Sequence, residues 1–174
     1  MTTTLVFGVG HPDRGDDAAG ALVVDLLRDT PHLVARHVEG DPSSMLSDPL
    51  WDEADHIVII DTVLTGAPPG TVHCWDVAEV LALAGDIRAV AGSSRSLEPA
   101  APSGTHDLGV TSTVRLAEAL SRLPRDLTIV GIEGADFTVG APPSHAVLAA
   151  AERVAAALDL QILLDAGGML HVSR

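Results

Sequence analysis

The chain of 174 residues has no lysine, no asparagine and no tyrosine, one cysteine, and four aromatic residues: Phe7, Trp51, Trp75 and Phe137. Without lysine it cannot form a Schiff base or fill the lysine position of a phosphate-binding P-loop. With Cys74 alone it forms no internal disulfide and no thiolate metal cluster. Four aromatics are too few for a stacking platform on single-stranded nucleic acid. Positive charge is scarce as well: all ten cations are arginines against 24 acids, a formal charge of −14. Such a surface is a poor partner for nucleic acid or anionic membranes, both of which select basic patches. No apolar run approaches a membrane span, and Met1–Phe7 has no basic region, so a cytoplasmic location is expected.

What is present is an aliphatic core. Hydrophobic residues make up 47% of the chain, mostly Ala, Val, Leu and Ile, and the length suits one domain over residues 1–174. Thr4–Gly10, His56–Asp61 and Leu127–Glu133 are short, nearly continuous apolar runs, the pattern of central strands in a parallel sheet covered on both faces. Leu33–Val38 is a fourth predicted strand, and Gly70–Trp75 a fifth, following the turn Gly66-Ala67-Pro68-Pro69. Cys74, in that fifth strand, reads as a small core residue rather than a nucleophile.

Helices are predicted between the strands. They cover Asp16–Arg28, Asp41–Leu46 with Pro42 at its first position, Val77–Leu83, His106–Leu123 and Ser144–Leu158. Beyond Leu160 the pattern suits either a continued helix or an edge strand. Ala91–Thr105 is rich in Ala, Gly, Ser, Thr and Pro and reads as a mobile loop within the domain. Strands alternating with helices predict an α/β fold: a three-layer α/β/α sandwich around a mostly parallel sheet.

In such a sheet ligands collect at the carboxyl ends of the strands. The first strand leads into Gly8-Val9-Gly10-His11-Pro12-Asp13-Arg14-Gly15-Asp16-Asp17, the central one stops at Asp61 and the last at Glu133, which delivers four acids to one rim. A dinucleotide fingerprint would need glycine where Asp13 stands, and Asp16 and Asp17 would repel a pyrophosphate at the helix start. Two carboxylates, Asp17 and Asp61, with the imidazole of His106, suit a divalent transition metal such as nickel or zinc. Taken singly, the same residues also suit a helix dipole, a strand end and a solvated helix start.

Four blocks, in order, resemble the nickel–iron hydrogenase maturation proteases. Gly8-x-Gly10-x-x-x-x-Gly15-Asp16-Asp17-x-x-Gly20 resembles the family's N-terminal signature. Val58-Ile59-Ile60-Asp61-Thr62-Val63, with Pro69-Gly70 after it, is similar to its central strand and turn. Gly104-Thr105-His106-Asp107-Leu108-Gly109 is similar to its Ser-x-His-x-Leu-Gly motif. Val130-Gly131-Ile132-Glu133, with Ser144-x-Ala146-Val147 after it, resembles its final strand and helix start.

The resemblance implies an endopeptidase that trims the C-terminal extension of the hydrogenase large-subunit precursor once nickel is inserted. It implies Asp17, Asp61 and His106 as the residues that recognise the nickel, carried by the substrate. Asp16 or Asp61 is then a candidate catalytic proton acceptor. The chain departs from the family at His11, where the family has Asn, at Ala18, at Glu39-Gly40-Asp41-Pro42 and at His145. The alternatives are a non-catalytic factor that binds the nickel-loaded precursor, and a two-carboxylate peptidase acting on other substrates.

Overall fold

The structure, a computed structural model, describes residues 3–31, 33–82 and 107–167. Its frame is a five-stranded sheet of β1 (Thr4–Val9), β2 (Leu33–Val38), β3 (His56–Val63), β4 (Val72–Asp76) and β5 (Leu127–Glu133), in the order β2-β1-β3-β5-β4. The first four strands across it are parallel, and β4 alone runs antiparallel to its neighbour. The register pairs Gly8 with Ile60 and Asp61 with Gly131, which puts the ends of β1, β3 and β5 side by side.

The apolar runs form strands because both faces of the sheet are covered. Alternation along β1 and β3 sends Leu5, Phe7, Ile57 and Ile59 to one face and Val6, Val58 and Ile60 to the other. Full burial of each such side chain contributes roughly 1.5–3 kcal/mol. Two helices, α1 (Ala19–Leu26) and α3 (His145–Gly167), cover the second face with Val23, Val147, Ala151 and Val154. The first face is covered by α2 (Asp107–Ala119), through Val110, Val114 and Ala117, and by Met45 and Trp51. Trp51 packs 6.1 Å from Phe7, centroid to centroid, and its indole N–H donates to Arg122 O at 2.9 Å. On the other side, α1 crosses β1 so closely that a Cβ on Gly8 would strike the carbonyl of Gly20.

The four parallel strands match expectation to within two residues at their ends. The fifth differs in kind: β4 is an antiparallel edge strand, and its Cys74 is exposed rather than in the core. An edge strand has one unpaired side, so its side chains meet less of the protein. The helix expected from Asp16 instead begins with a 3-10 turn, Gly15–Ala18, and α1 follows at Ala19. The expected turn of helix after Asp41 is a 3-10 segment, Pro42–Ser47, with the Asp41 carboxylate accepting from Ser43 N at 2.9 Å. Leu116, in α2, and Leu120, just past its end, are exposed at 42% and 53%.

The last helix continues through Gly167, which decides between helix and edge strand for that stretch. Residues 77–82 are helical, as expected. The predicted loop Ala91–Thr105, His106 and the last seven residues lie outside the described residues. Among the described residues, no helix is long and apolar enough to cross a membrane.

Candidate active site

The strand order reverses between β1 and β3: from β1 the chain passes to β2 on one side, then returns to β3 on the other. Crevices at such switch points are where open α/β sheets bind ligands. Asp17 enters this crevice from the turn after β1, and Asp61 lies in β3 near its carboxyl end. Both are buried, at 1% and 3% exposure. Each is a carboxylate removed from water, a setting that disfavours uncompensated negative charge.

Local hydrogen bonds hold this pair. The Asp17 carboxylate accepts from His11 N at 3.1 Å, and that of Asp61 from Thr62 N at 2.8 Å. The buried Thr62 hydroxyl bridges the two elements, donating to Asp16 O at 2.8 Å. Since Asp16 precedes Asp17 and Thr62 follows Asp61, it ties the backbones carrying the two carboxylates together. Gly10 is required here in its own right. Its φ is +129°, and a Cβ would strike the Asp17 carbonyl.

Asp16, though adjacent, faces elsewhere. It is fully buried, and both its oxygens are taken by main-chain N–H groups of the β5–α3 connection: Ala135 at 2.8 Å, Asp136 at 3.1 Å and Ser144 at 2.7 Å. Desolvation raises its pKa, but the bonds from Ser144, Asp136 and Ala135 together outweigh that, and the carboxyl is held below the ordinary 3.8. It therefore pins the start of α3 to the turn after β1. Ser144 in turn caps α3, its hydroxyl oxygen accepting from Val147 N at 3.4 Å.

Glu133, the fourth acid expected at the rim, is buried but turned sideways. Its oxygens accept from Thr65 N, Gly66 N and the Thr65 hydroxyl, each at 2.8 Å, and His73 Nε2 lies 3.4 Å away. It holds the turn after β3, while His73 stacks on Trp75. His11 joins the turns after β1 and β2: its Nε2 meets Glu39 at 2.9 Å, and its Nδ1 accepts from Asp13 N at 3.3 Å. His37 Nε2 donates to Gly10 O at 3.0 Å and steadies the same corner. Cys74, exposed on the edge strand, has its thiol pKa raised by partial desolvation from its neighbours, which makes it a poor nucleophile at neutral pH.

The structure thus joins the turn carrying Asp16 and Asp17 to the end of β3 carrying Asp61 and Thr62, with the Asp16 carboxylate committed to the β5–α3 connection. His106 immediately precedes α2 in the chain but lies outside the described residues; Gly109, in the first turn of α2, abuts Pro42. Among the described residues, no three His, Cys, Asp or Glu side chains are grouped to hold a metal ion. Thr62 was missed as a site residue by sequence reasoning. Its only signal was its place beside Asp61.

Comparison of the whole fold with solved structures is decisive for its architecture. The hydrogenase maturating endopeptidase HybD of Escherichia coli superposes with a TM-score of 0.68 at 20% identity, covering 96% of this chain and 94% of that one. The chain has the hydrogenase maturation protease fold. The nickel–iron hydrogenase maturation protease HycI of Thermococcus kodakarensis has a TM-score of 0.64 at 20% identity, over 91% of each chain. The hydrogenase 2 maturation peptidase from Thaumarchaeota archaeon SCGC_AB-539-E09 has 0.60 at 24% identity, over 97% of this chain and 100% of that one. No protein-family model and no curated protein sequence matches the chain. The maturation protease fold therefore persists here at low sequence identity.

Proposed function

We propose that this chain is an endopeptidase that removes the C-terminal extension of a nickel–iron hydrogenase large-subunit precursor after nickel insertion. The observation that carries the reading is the buried pair Asp17 and Asp61, joined through the Thr62–Asp16 bond at the carboxyl rim of a maturation protease fold. With His106 they form a set of two hard oxygen ligands and one imidazole, a donor set that suits a divalent transition metal. The nickel is cargo of the substrate, and its recognition would tie cleavage to loaded precursors.

The division of labour among the acids follows from their partners. Asp16 is fully buried with both oxygens committed to backbone N–H groups, and its lowered pKa makes it a weak proton acceptor. Asp61 is the better candidate acceptor for the proton of the attacking water, because it stands near the carboxyl end of β3, at the rim. The precursor's own nickel, held by Asp17, Asp61 and His106, would polarise the scissile carbonyl or acidify a bound water. No serine or cysteine nucleophile is needed.

The test is incubation with a nickel-loaded precursor, reading the mass of the large subunit. A loss equal to the extension supports the reading. Asp61→Ala and His106→Ala are each expected to lower the rate by at least about 100-fold, the upper range for loss of even an outer-shell partner at a metal site. Processing at wild-type rate by either variant would sink the scheme. Equal cutting of nickel-free precursor would favour an ordinary two-carboxylate peptidase.

A further inference from the structure

The loop that carries Asp16 and Asp17 also carries a cation, Arg14. Four of the six other described arginines have acceptors: Arg28 meets Asp25, Arg36 meets Asp48, Arg122 meets Asp52, and Arg153 meets Gly70 O. Arg14 differs. Its backbone is fixed, the N–H donating to His11 O and the carbonyl accepting from Asp17 N, both at 3.1 Å. Its side chain is half-buried, and its Nε is sealed from solvent with no hydrogen-bond partner among the described residues. Asp16, two residues away, directs both its oxygens to the 135–144 connection instead.

A buried N–H without an acceptor is costly, and a native fold that keeps one calls for an explanation. Here the explanation lies in the surroundings. The rim holds Asp17 and Asp61 and would repel any ligand bringing a carboxylate or an electron-rich carbonyl. Arg14 is the cation on the same loop, and its planar fork matches paired oxygen acceptors.

We propose that Arg14 binds an oxygen of the peptide substrate, either a carboxylate or a main-chain carbonyl, through its half-buried guanidinium, whose Nε has no acceptor among the described residues. Naming the ligand a peptide rests on the endopeptidase reading; the existence of an oxygen-binding site on Arg14 does not. Cleavage also creates a new carboxylate beside two acids, and a guanidinium at that place would offset their repulsion.

The chain has ten arginines and no lysine, so its arginine Nε–H signals form a small, separate set in a 15N-labelled sample. Arg14→Gln identifies the Arg14 signal by its loss. The wild-type protein is titrated at constant ionic strength with acetate, the carboxylate arm, and with N-methylacetamide, the carbonyl arm. The Arg14 signal is expected to move saturably in at least one arm while the other arginine signals hold still. The arm that saturates names the source of the oxygen. No movement in either arm, or movement shared by all the arginines, would overturn the site.

Precursor processing then tests the link to substrate. Arg14→Gln is expected to raise KM about tenfold with a smaller effect on kcat, and Arg14→Lys to recover part of it, as for an interaction present before the transition state. Wild-type KM in Arg14→Gln overturns the substrate role. If the wild-type protein does not cut, the endopeptidase reading fails and the titration still decides the site.

Discussion

Asp16→Asn is the substitution whose cost the structure defines most closely. The carboxylate receives two N–H donors on one oxygen, from Ala135 and Asp136, and a third from Ser144 on the other. An asparagine is nearly the same size but has one oxygen and one NH2 group. In its better orientation the oxygen keeps Ala135 and Asp136, and the NH2 faces the N–H of Ser144, donor against donor. Leaving that buried donor unmet costs about 1–3 kcal/mol, and the two retained bonds lose charge assistance, a further loss of about 0.5 kcal/mol or more each.

The sum is about 3 kcal/mol, which in a domain of this size lowers Tm by roughly 6–12 °C. Thermal unfolding followed by circular dichroism measures it. Hydrogen exchange adds the local readout: the amides of Ala135, Asp136 and Ser144 are expected to exchange faster, with Ser144 most affected. A Tm within about 2 °C of wild type, with Ser144 as protected as before, would refute the view that Asp16 is the clamp between β1 and α3.

Other outcomes follow from the same geometry. Thr62→Val removes the buried hydroxyl that donates to Asp16 O; that carbonyl keeps the N–H of Ala19, so the loss of stability is about 0.5–1.5 kcal/mol, read by urea denaturation. Precursor cleavage should fall by more than this stability change accounts for, since the bond aligns Asp17 with Asp61; unchanged kcat/KM would contradict that role. Gly10→Ala places a Cβ against the Asp17 carbonyl at a φ of +129°. The expected cost is about 1–3 kcal/mol of backbone strain or more, and a variant as stable as wild type would show that the turn can relax. Asp52 has its pKa lowered by the hydrogen bond and charge of Arg122, so its contribution is present above the ordinary 3.8 and fades as pH falls through the lowered value. The stability gap between wild type and Asp52→Asn should therefore close in acid; a gap that widened below pH 3.8 would reverse the sign of this pairing.

The strands were legible because central parallel strands, buried on both sides, write themselves as unbroken apolar runs: Leu127–Glu133 and Leu33–Val38 form over the residues predicted. The edge strand was harder. Val72–Asp76 has the composition of a strand, but whether Cys74 is covered depends on what lies beyond it, which is set by the rest of the chain. The acids show the same division. Sequence placed Asp16, Asp17, Asp61 and Glu133 at strand ends without distinguishing them. Their roles depend on partners as much as 128 residues away, and no local pattern encodes such a pairing.

By itself, then, the sequence determined the alternation of strands and helices, the acid-rich rim and the absence of lysine and thiolate chemistry. Periodicity and composition are properties of neighbouring residues, and burial simply enforces them. Only the tertiary structure decided which acids stand at the crevice and which serve the scaffold. The segments carrying Asp17 and Asp61 meet where the strand order reverses, Asp16 turns back to hold α3, Glu133 turns aside to hold the Thr65–Gly66 turn, and Arg14 keeps a buried donor without a partner among the described residues. A carboxylate has the same charge in each setting; the backbone N–H groups that folding brings to it separate a scaffold clamp from a candidate ligand.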